Sequence, residues 1–252
     1  MKKYIIAVLI LSVIVAASGC IGQKATGSGN VINQSRDVSG FNQVSVDGSG
    51  TLIITQGNKE SLTIEAEDNI VPDIKTTVNN NVLTINRGNF TVVPTKPVKY
   101  YLTVKDINSI TYSGSGKIQS DNLKTNSLTI NLNGASEGNL TNLNVNMLKI
   151  IISGAGRLGI SGTANSQDIT MSGAGEYFAD NLASKIATIT ISGAGKGTVR
   201  VSDSLNAIIN GAGQISYIGN PKLTQQINGA GSIKQISGWV GKNFLNFCDS
   251  KS

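Results

Sequence analysis

Apolar and polar residues alternate in short runs along most of this chain, and a small-residue landmark interrupts them at regular intervals. Ile150/Ile152, Ile169/Met171, Ile189/Ile191 and Ala207/Ile209 precede successive landmarks, and Leu158/Ile160 and Ile215/Tyr217 follow them. A period of two predicts strands with one buried face. The landmark reads YSGSGKI at 112, LNGASEG at 132, ISGAGRL at 152 and MSGAGEY at 171, then ISGAGKG at 191, INGAGQI at 209 and INGAGSI at 227, with an earlier copy, VDGSGTL, at 46. Its first glycines, Gly114, Gly134, Gly154, Gly173, Gly193, Gly211 and Gly229, are 20, 20, 19, 20, 18 and 18 residues apart. A period near twenty, sustained this long, predicts a solenoid.

A glycine pair after a β-branched run also raises the question of a phosphate loop. That chemistry needs a helix N-terminus behind the glycines, whereas TITISGAGKG continues into TVRV, another strand-like run. The glycines therefore read as corners, with φ > 0 accessible to them. Stacking would set Ser153, Ser172, Ser192, Asn210 and Asn228 above one another at about 4.8 Å per rung, where they would pass hydrogen bonds up the column and satisfy buried polar groups. The expected fold is all-β, a single-stranded parallel β-helix with coils of about twenty residues. It is expected to be right-handed, because the hexapeptide period of left-handed helices is missing. Asn-Gly between alternating runs is also a hairpin signal, so an antiparallel meander is the alternative.

Between Gly50 and Gly114 the landmark is absent, but LTI at 62, LTI at 83, LTV at 102 and LTI at 128 continue a similar spacing. These are either coils with other corners or an N-terminal subdomain closed by longer loops such as 87–97. Residues 21–35 lack periodicity and read as a flexible tether. The tail GWVGKNFLNF, 238–247, holds the only Trp and two Phe, and reads as a cap over the open solenoid end.

The N-terminus changes the picture. Lys2 and Lys3 precede an apolar run from Tyr4 to Ala17, then Ser18 and Gly19, the layout of a secretory signal. ASGC, ending at Cys20, resembles the lipobox of prokaryotic lipoproteins, which implies cleavage before Cys20 and diacylglyceryl attachment to its thiol. An ordinary signal peptide is the alternative. A Cys20–Cys248 disulfide suits an exported chain but is incompatible with lipidation, and with no histidine in the chain neither thiol has a histidine base. The resulting division is 1–19 signal peptide, 20–35 lipidated terminus and tether, 36–238 β-helix and 239–252 cap or tail.

Composition adds limits. Aromatics are 5% and charged residues 14%, so the core must be thin layers of Ile, Leu, Val and Ala. The net charge of +6 falls to +4 without Lys2 and Lys3 (19 basic, 15 acidic). The basic residues are scattered, with no aromatic-interleaved patch for nucleic acid.

The sequence as a whole resembles the auto-transporter adhesin, head GIN domain family. The resemblance rests on SRDVSGFNQVSVDGSGTLIITQG (35–57), LTIEAEDNIVPDIKTTVNNNVLTI (62–85) and the serial SGAG/NGAG copies ending in GAGSIKQI (229–236). It covers roughly 30–237 and implies an exported, often lipid-anchored β-helical protein, without supplying a ligand or catalytic residues.

Candidate chemistry is sparse. Glu137 and Glu176 follow corner glycines two coils apart, which would set them roughly 10 Å apart, near the separation of inverting glycosidases. Arg157 stands between them at the same offset, so an ion-paired ladder is the alternative. No histidine is present and the cysteines lie at opposite ends, so neither a metal nor a cofactor is expected, and Asp47 reads as a turn former. Asn33, Asn89 and Asn139 open Asn-x-Ser/Thr sequons and are candidate glycosylation sites. Exposed residues beside the corners, Lys117, Arg157, Glu176, Lys196 and Gln214, are the candidate contacts for a surface polysaccharide or envelope protein. The expected function is a lipid-anchored, non-enzymatic binding or adhesion module. A passive envelope protein and a polysaccharide-active enzyme are the other classes.

Overall fold

The computed structural model describes residues 25–88 and 92–237. After β1 (Ala25–Thr26) and β2 (Val31–Arg36), the first coil strand is β3 (Gln43–Gln56). β4 (Ser61–Glu67), a 3-10 turn at Val71–Asp73, β5 (Lys75–Asn79), β6 (Val82–Asn86), β7 (Val92–Val93) and β8 (Lys99–Val104) follow. The glycine-marked stack comprises β9 (Ser109–Asp121), β10 (Lys124–Gly134), β11 (Glu137–Ile152), β12 (Arg157–Met171), β13 (Glu176–Ile191) and β14 (Lys196–Ile209), closed by β15 (Gln214–Ile218), β16 (Lys222–Ile227) and β17 (Ser232–Gln235). Every pairing within this stack is parallel. It is a β-solenoid of about six turns, about twenty residues each, and the antiparallel meander is excluded there.

β11, β12 and β13 each bend twice without leaving their ladders. In β11, burial alternates over 137–140, breaks at Thr141 and Asn142, alternates over 143–145, breaks where Asn146 and Met147 both face outward, and resumes over 148–152. Three short sides therefore enclose one narrow core. Asn122 (φ 59°) and Asn142 (φ 53°) turn the first bend in the left-handed conformation that Asn tolerates better than most side chains. The core is built of columns. Val44, Ile110, Ile130, Ile150, Ile169, Ile189 and Ala207 stand in register, each no more than 1% exposed.

The corners correct the sequence expectation in two ways. Gly48, Gly114 and Gly134 take the expected positive φ (134°, 132° and 123°), but the later corner glycines Gly154, Gly173, Gly193, Gly211 and Gly229 do not. They are glycines because a Cβ on each would come within 3.0 Å of the carbonyl oxygen of the equivalent glycine one coil earlier, so the backbones stack with no room for a side chain. That approach lets Ala155 N–H donate to Gly134 O (2.9 Å), Ala174 to Gly154 (3.1 Å) and Ala194 to Gly173 (3.1 Å). Secondly, the Ser/Asn column is exposed and satisfies no buried group. Its side chains bond along the column where Asn228 donates to Asn210 (2.9 Å).

The N-terminal portion departs from a purely parallel helix. β3 lies under β9 along its length, from Gln43↔Ser109 to Ile54↔Ser120, and so forms a true coil. After it, β6 and β8 continue parallel to β3, while β2 pairs with β4, β4 with β8 and β5 with β6 antiparallel. Asn80 (φ 50°) and Asn81 (φ 62°) make the tight β5–β6 turn, both in the αL conformation that a two-residue I′ hairpin requires.

The tether reading also fails over the described part of 20–35. β1 pairs with β7 and β2 pairs with β4. An edge strand gains backbone hydrogen bonds while burying little side chain, so the sequence shows no alternation. Glu67, itself buried, fastens this segment: its carboxylate accepts Gly29 N–H (2.7 Å), Thr95 N–H (2.9 Å) and the Thr95 hydroxyl (2.5 Å). The Thr95 bond, followed by the backbone N–H groups, outweighs desolvation and lowers its pKa from 4.5 to about 2. A depressed carboxyl stabilises the fold above its unfolded pKa and loses that contribution as pH falls through the folded one. We therefore expect residues 25–36 to gain hydrogen exchange as pH drops from about 4.5 to 2 before the glycine-marked coils do, and Glu67→Gln to expose them already at neutral pH. Simultaneous opening of both regions would contradict this.

Cys20, Asn89, Cys248 and the expected aromatic cap lie outside the described residues.

Candidate functional site

The five corner-adjacent candidates form one column. Lys117, Glu137, Arg157, Glu176, Lys196 and Gln214 occupy successive rungs in register, so the charges alternate through five rungs before ending on an amide. Lys117 Nζ lies 3.5 Å from Glu137 Oε2 and Arg157 Nε 3.0 Å from Glu176 Oε2. Arg157 thus stands on the rung between the two carboxylates raised as a glycosidase pair, and each carboxylate is ion-paired to a neighbouring cation. Opposite charges on neighbouring strands favour this register and like charges penalise a slipped one. Arg157→Glu would set like charges on three successive rungs. We expect it to cost up to about 1 kcal/mol at low salt and less at high salt, measured by denaturation at two ionic strengths. A salt-independent loss would point to packing instead.

The other flagged residues have local roles. Asp47 Oδ2 accepts Asn86 Nδ2 at 3.4 Å. Asn33 is exposed on β2 and Asn139 half-buried on β11, where the sequon's Thr141 hydroxyl donates to Asp121 at 2.7 Å. Among the described residues no three His, Cys, Asp or Glu side chains gather as metal ligands.

A concave face that none of these candidates lines lies around the second bend of the coils. A groove of about 760 Å³ crosses β10 to β13 there, lined by Lys124, Asn126, Asn146, Thr163, Asn165 and Lys185 among others. Its floor is Val145 and Ala164, which are buried in register with Thr125 and Ser184. At this bend two consecutive residues point outward on each of β11 and β13, Asn146 with Met147 and Lys185 with Ile186. The second of each pair is an exposed large apolar side chain, 51% for Met147 and 47% for Ile186. Asn146 Nδ2 donates to Asn126 Oδ1 at 3.3 Å, so these two amides pair along the axis. Sequence reasoning passed over these residues because Asn in a Thr/Asn-rich chain reads as turn or surface. The available signal was the recurrence at 126, 146 and 165, the solenoid's own period without a glycine.

No protein of curated function matches the chain. Residues 40–221 match the family described as "Putative auto-transporter adhesin, head GIN domain". Among solved structures, the chain is similar to a putative adhesin from Bacteroides fragilis, with a TM-score of 0.78 at 28% identity over 84% of this chain and 99% of that one. A putative adhesin from Parabacteroides merdae gives 0.64 at 20% identity over 84% and 98%. A protein from Parabacteroides distasonis described as a putative lipid binding protein gives 0.65 at 21% over the same shares, 84% and 98%. The last two show the shared fold.

Proposed function

The chain belongs to the head GIN domain family of auto-transporter adhesins, and on that premise we propose that it is a surface-displayed, non-enzymatic binding module. Its ligand is a polysaccharide or envelope protein outside the membrane. The observation that carries this reading is a rigid stack of coils whose side chains repeat at rung spacing, presenting a concave polar face across four of them. A polymer with its own repeat meets the same chemistry several times on such a face. The leader and Cys20 supply export and a diacylglyceryl anchor.

Two measurements test it. Full-length protein should partition with membranes and face outward, and Cys20→Ser should release it into the soluble fraction. The full chain should also bind saturably to surface polysaccharides or envelope extracts without releasing products. A passive structural role has one observation in its favour, the exposed Ile227 at the last rung of a core column. It predicts self-association with no saturable binding.

A further inference from the structure

We infer that the amide-lined groove at the second bend is the ligand site, and that it takes an acidic polysaccharide in which charged and neutral sugars alternate. This rests on the binding-module reading above and adds the place and the ligand class.

The lining contains two cations, Lys124 and Lys185, and no carboxylate. Neither ammonium group is engaged in an ion pair among the described residues, unlike Lys117 and Arg157 in the corner column. The acids flanking the bend are occupied by neighbours. Asp121 accepts the Thr141 hydroxyl and Asn142 Nδ2 (2.7 and 2.9 Å), and Asp203, on the rung beyond Lys185, accepts the Ser202 hydroxyl (2.5 Å). Asp121 and Asp203 keep their charge but stand outside the lining, so the groove itself presents two cations and no anion.

Between the lysines lie Asn126, Asn146 and Asn165, one per rung. A primary amide offers a donor and an acceptor side by side, which matches a pair of adjacent sugar hydroxyls. The lysines sit three rungs apart, about 14 Å along the axis, so anionic groups separated by neutral sugars reach both while the amides hold the sugars between. No aromatic residue lines the groove, which removes stacking as the source of affinity and leaves charge and repeated amide contacts. Met147 and Ile186 border it with apolar surface against which sugar C–H faces pack.

The test uses the full chain with three soluble polymers: hyaluronan (alternate sugars charged), polygalacturonate (every sugar charged) and dextran (neutral). We expect hyaluronan to bind most tightly, with affinity falling as salt rises. Lys124→Gln/Lys185→Gln should weaken it at least tenfold and flatten the salt dependence. Asn126→Ala/Asn146→Ala should weaken it while leaving the salt slope in place, and Lys196→Gln in the corner column should change nothing. Circular dichroism and Tm confirm each fold. Equal binding by the lysine variant, preference for dextran, or a salt-independent affinity would each overturn the assignment. If the chain binds none of the three yet still binds whole envelopes saturably, the groove assignment fails and the module reading survives. If both bindings are absent, both fail.

Discussion

Gly173→Ala is expected to be among the most damaging single substitutions in this protein, although it adds one methyl group near the surface. The added Cβ would fall within 3.0 Å of the Gly154 carbonyl oxygen of the preceding coil. A side chain can rotate away from a clash, but a carbonyl held in a ladder cannot. Relief requires lifting one coil off the next, which strains Ala174 N–H→Gly154 O and Ala194 N–H→Gly173 O, both 3.1 Å. Overpacking costs about 1–3 kcal/mol and two weakened hydrogen bonds add about 1 kcal/mol each, for a total of about 3–5 kcal/mol. Gly156→Ala is the matched control. Its Cβ would lie 3.2 Å from Ser136 O, an approach that a shift of a few tenths of an ångström relieves, and both variants restrict the unfolded chain equally. Denaturation midpoints, with exchange rates of the Ala174 and Ala194 amides, distinguish them. Equal stability of the two variants would remove close backbone stacking as the reason for the repeated glycine.

The second prediction runs against hydrophobicity. Gln167 occupies a core column otherwise formed by Leu128, Leu148, Ala187 and Leu205, and it is only 2% exposed. Replacing it with leucine would restore the apolar column, yet we expect a loss of about 1–3 kcal/mol. Tyr177 OH donates to Gln167 Oε1, Gln167 Nε2 donates to Ser184 Oγ, and Ser184 Oγ donates to Arg200 O, each at 2.7 Å. Burial raises the Tyr177 pKa far above its ordinary value of 10, so the phenol stays protonated and must find an acceptor. In Gln167→Leu it has none from that partner. Adding Tyr177→Phe removes the stranded hydroxyl, so the double variant should recover most of the loss. Additive losses in that double-mutant cycle would mean that the three side chains do not act as a unit.

What the sequence disclosed and what it concealed divide along physical lines. The solenoid was legible because its periodic signal, apolar alternation punctuated by Gly, repeats coil after coil. The reason for the later glycines, from Gly154 on, was not, because sequence distinguishes poorly between a corner that needs φ > 0 and one that needs an absent Cβ. Edge strand β2 was concealed because it is held by backbone bonds to β4, which leave no pattern in VINQSR. The β5–β6 hairpin carried its signal in Asn80-Asn81, and LTI at 83 and LTV at 102 marked strands that do lie parallel to β3. In the candidate site, the charged corner column was readable from offset alone, including the arginine between the two glutamates. The groove depended on which two consecutive residues face outward at a bend. That is a property of the bend geometry, and it also explains how Met147 and Ile186 escape the core.

The glycine spine and the charge column impose different repeats on the same coils. To the spine every coil is equivalent, since glycine lies over glycine along 134, 154, 173, 193, 211 and 229. The charge column repeats only after two coils: Lys117, Glu137, Arg157, Glu176, Lys196. Excising the single coil that carries Glu137 would rejoin the core but set Arg157 over Lys117. Excising two would set Glu176 there and keep the alternation. Changes in length through this region are therefore least disruptive in steps of two coils, about 40 residues. Beyond Lys196, where Gln214 and Ser232 end the column, single-coil steps carry no such penalty.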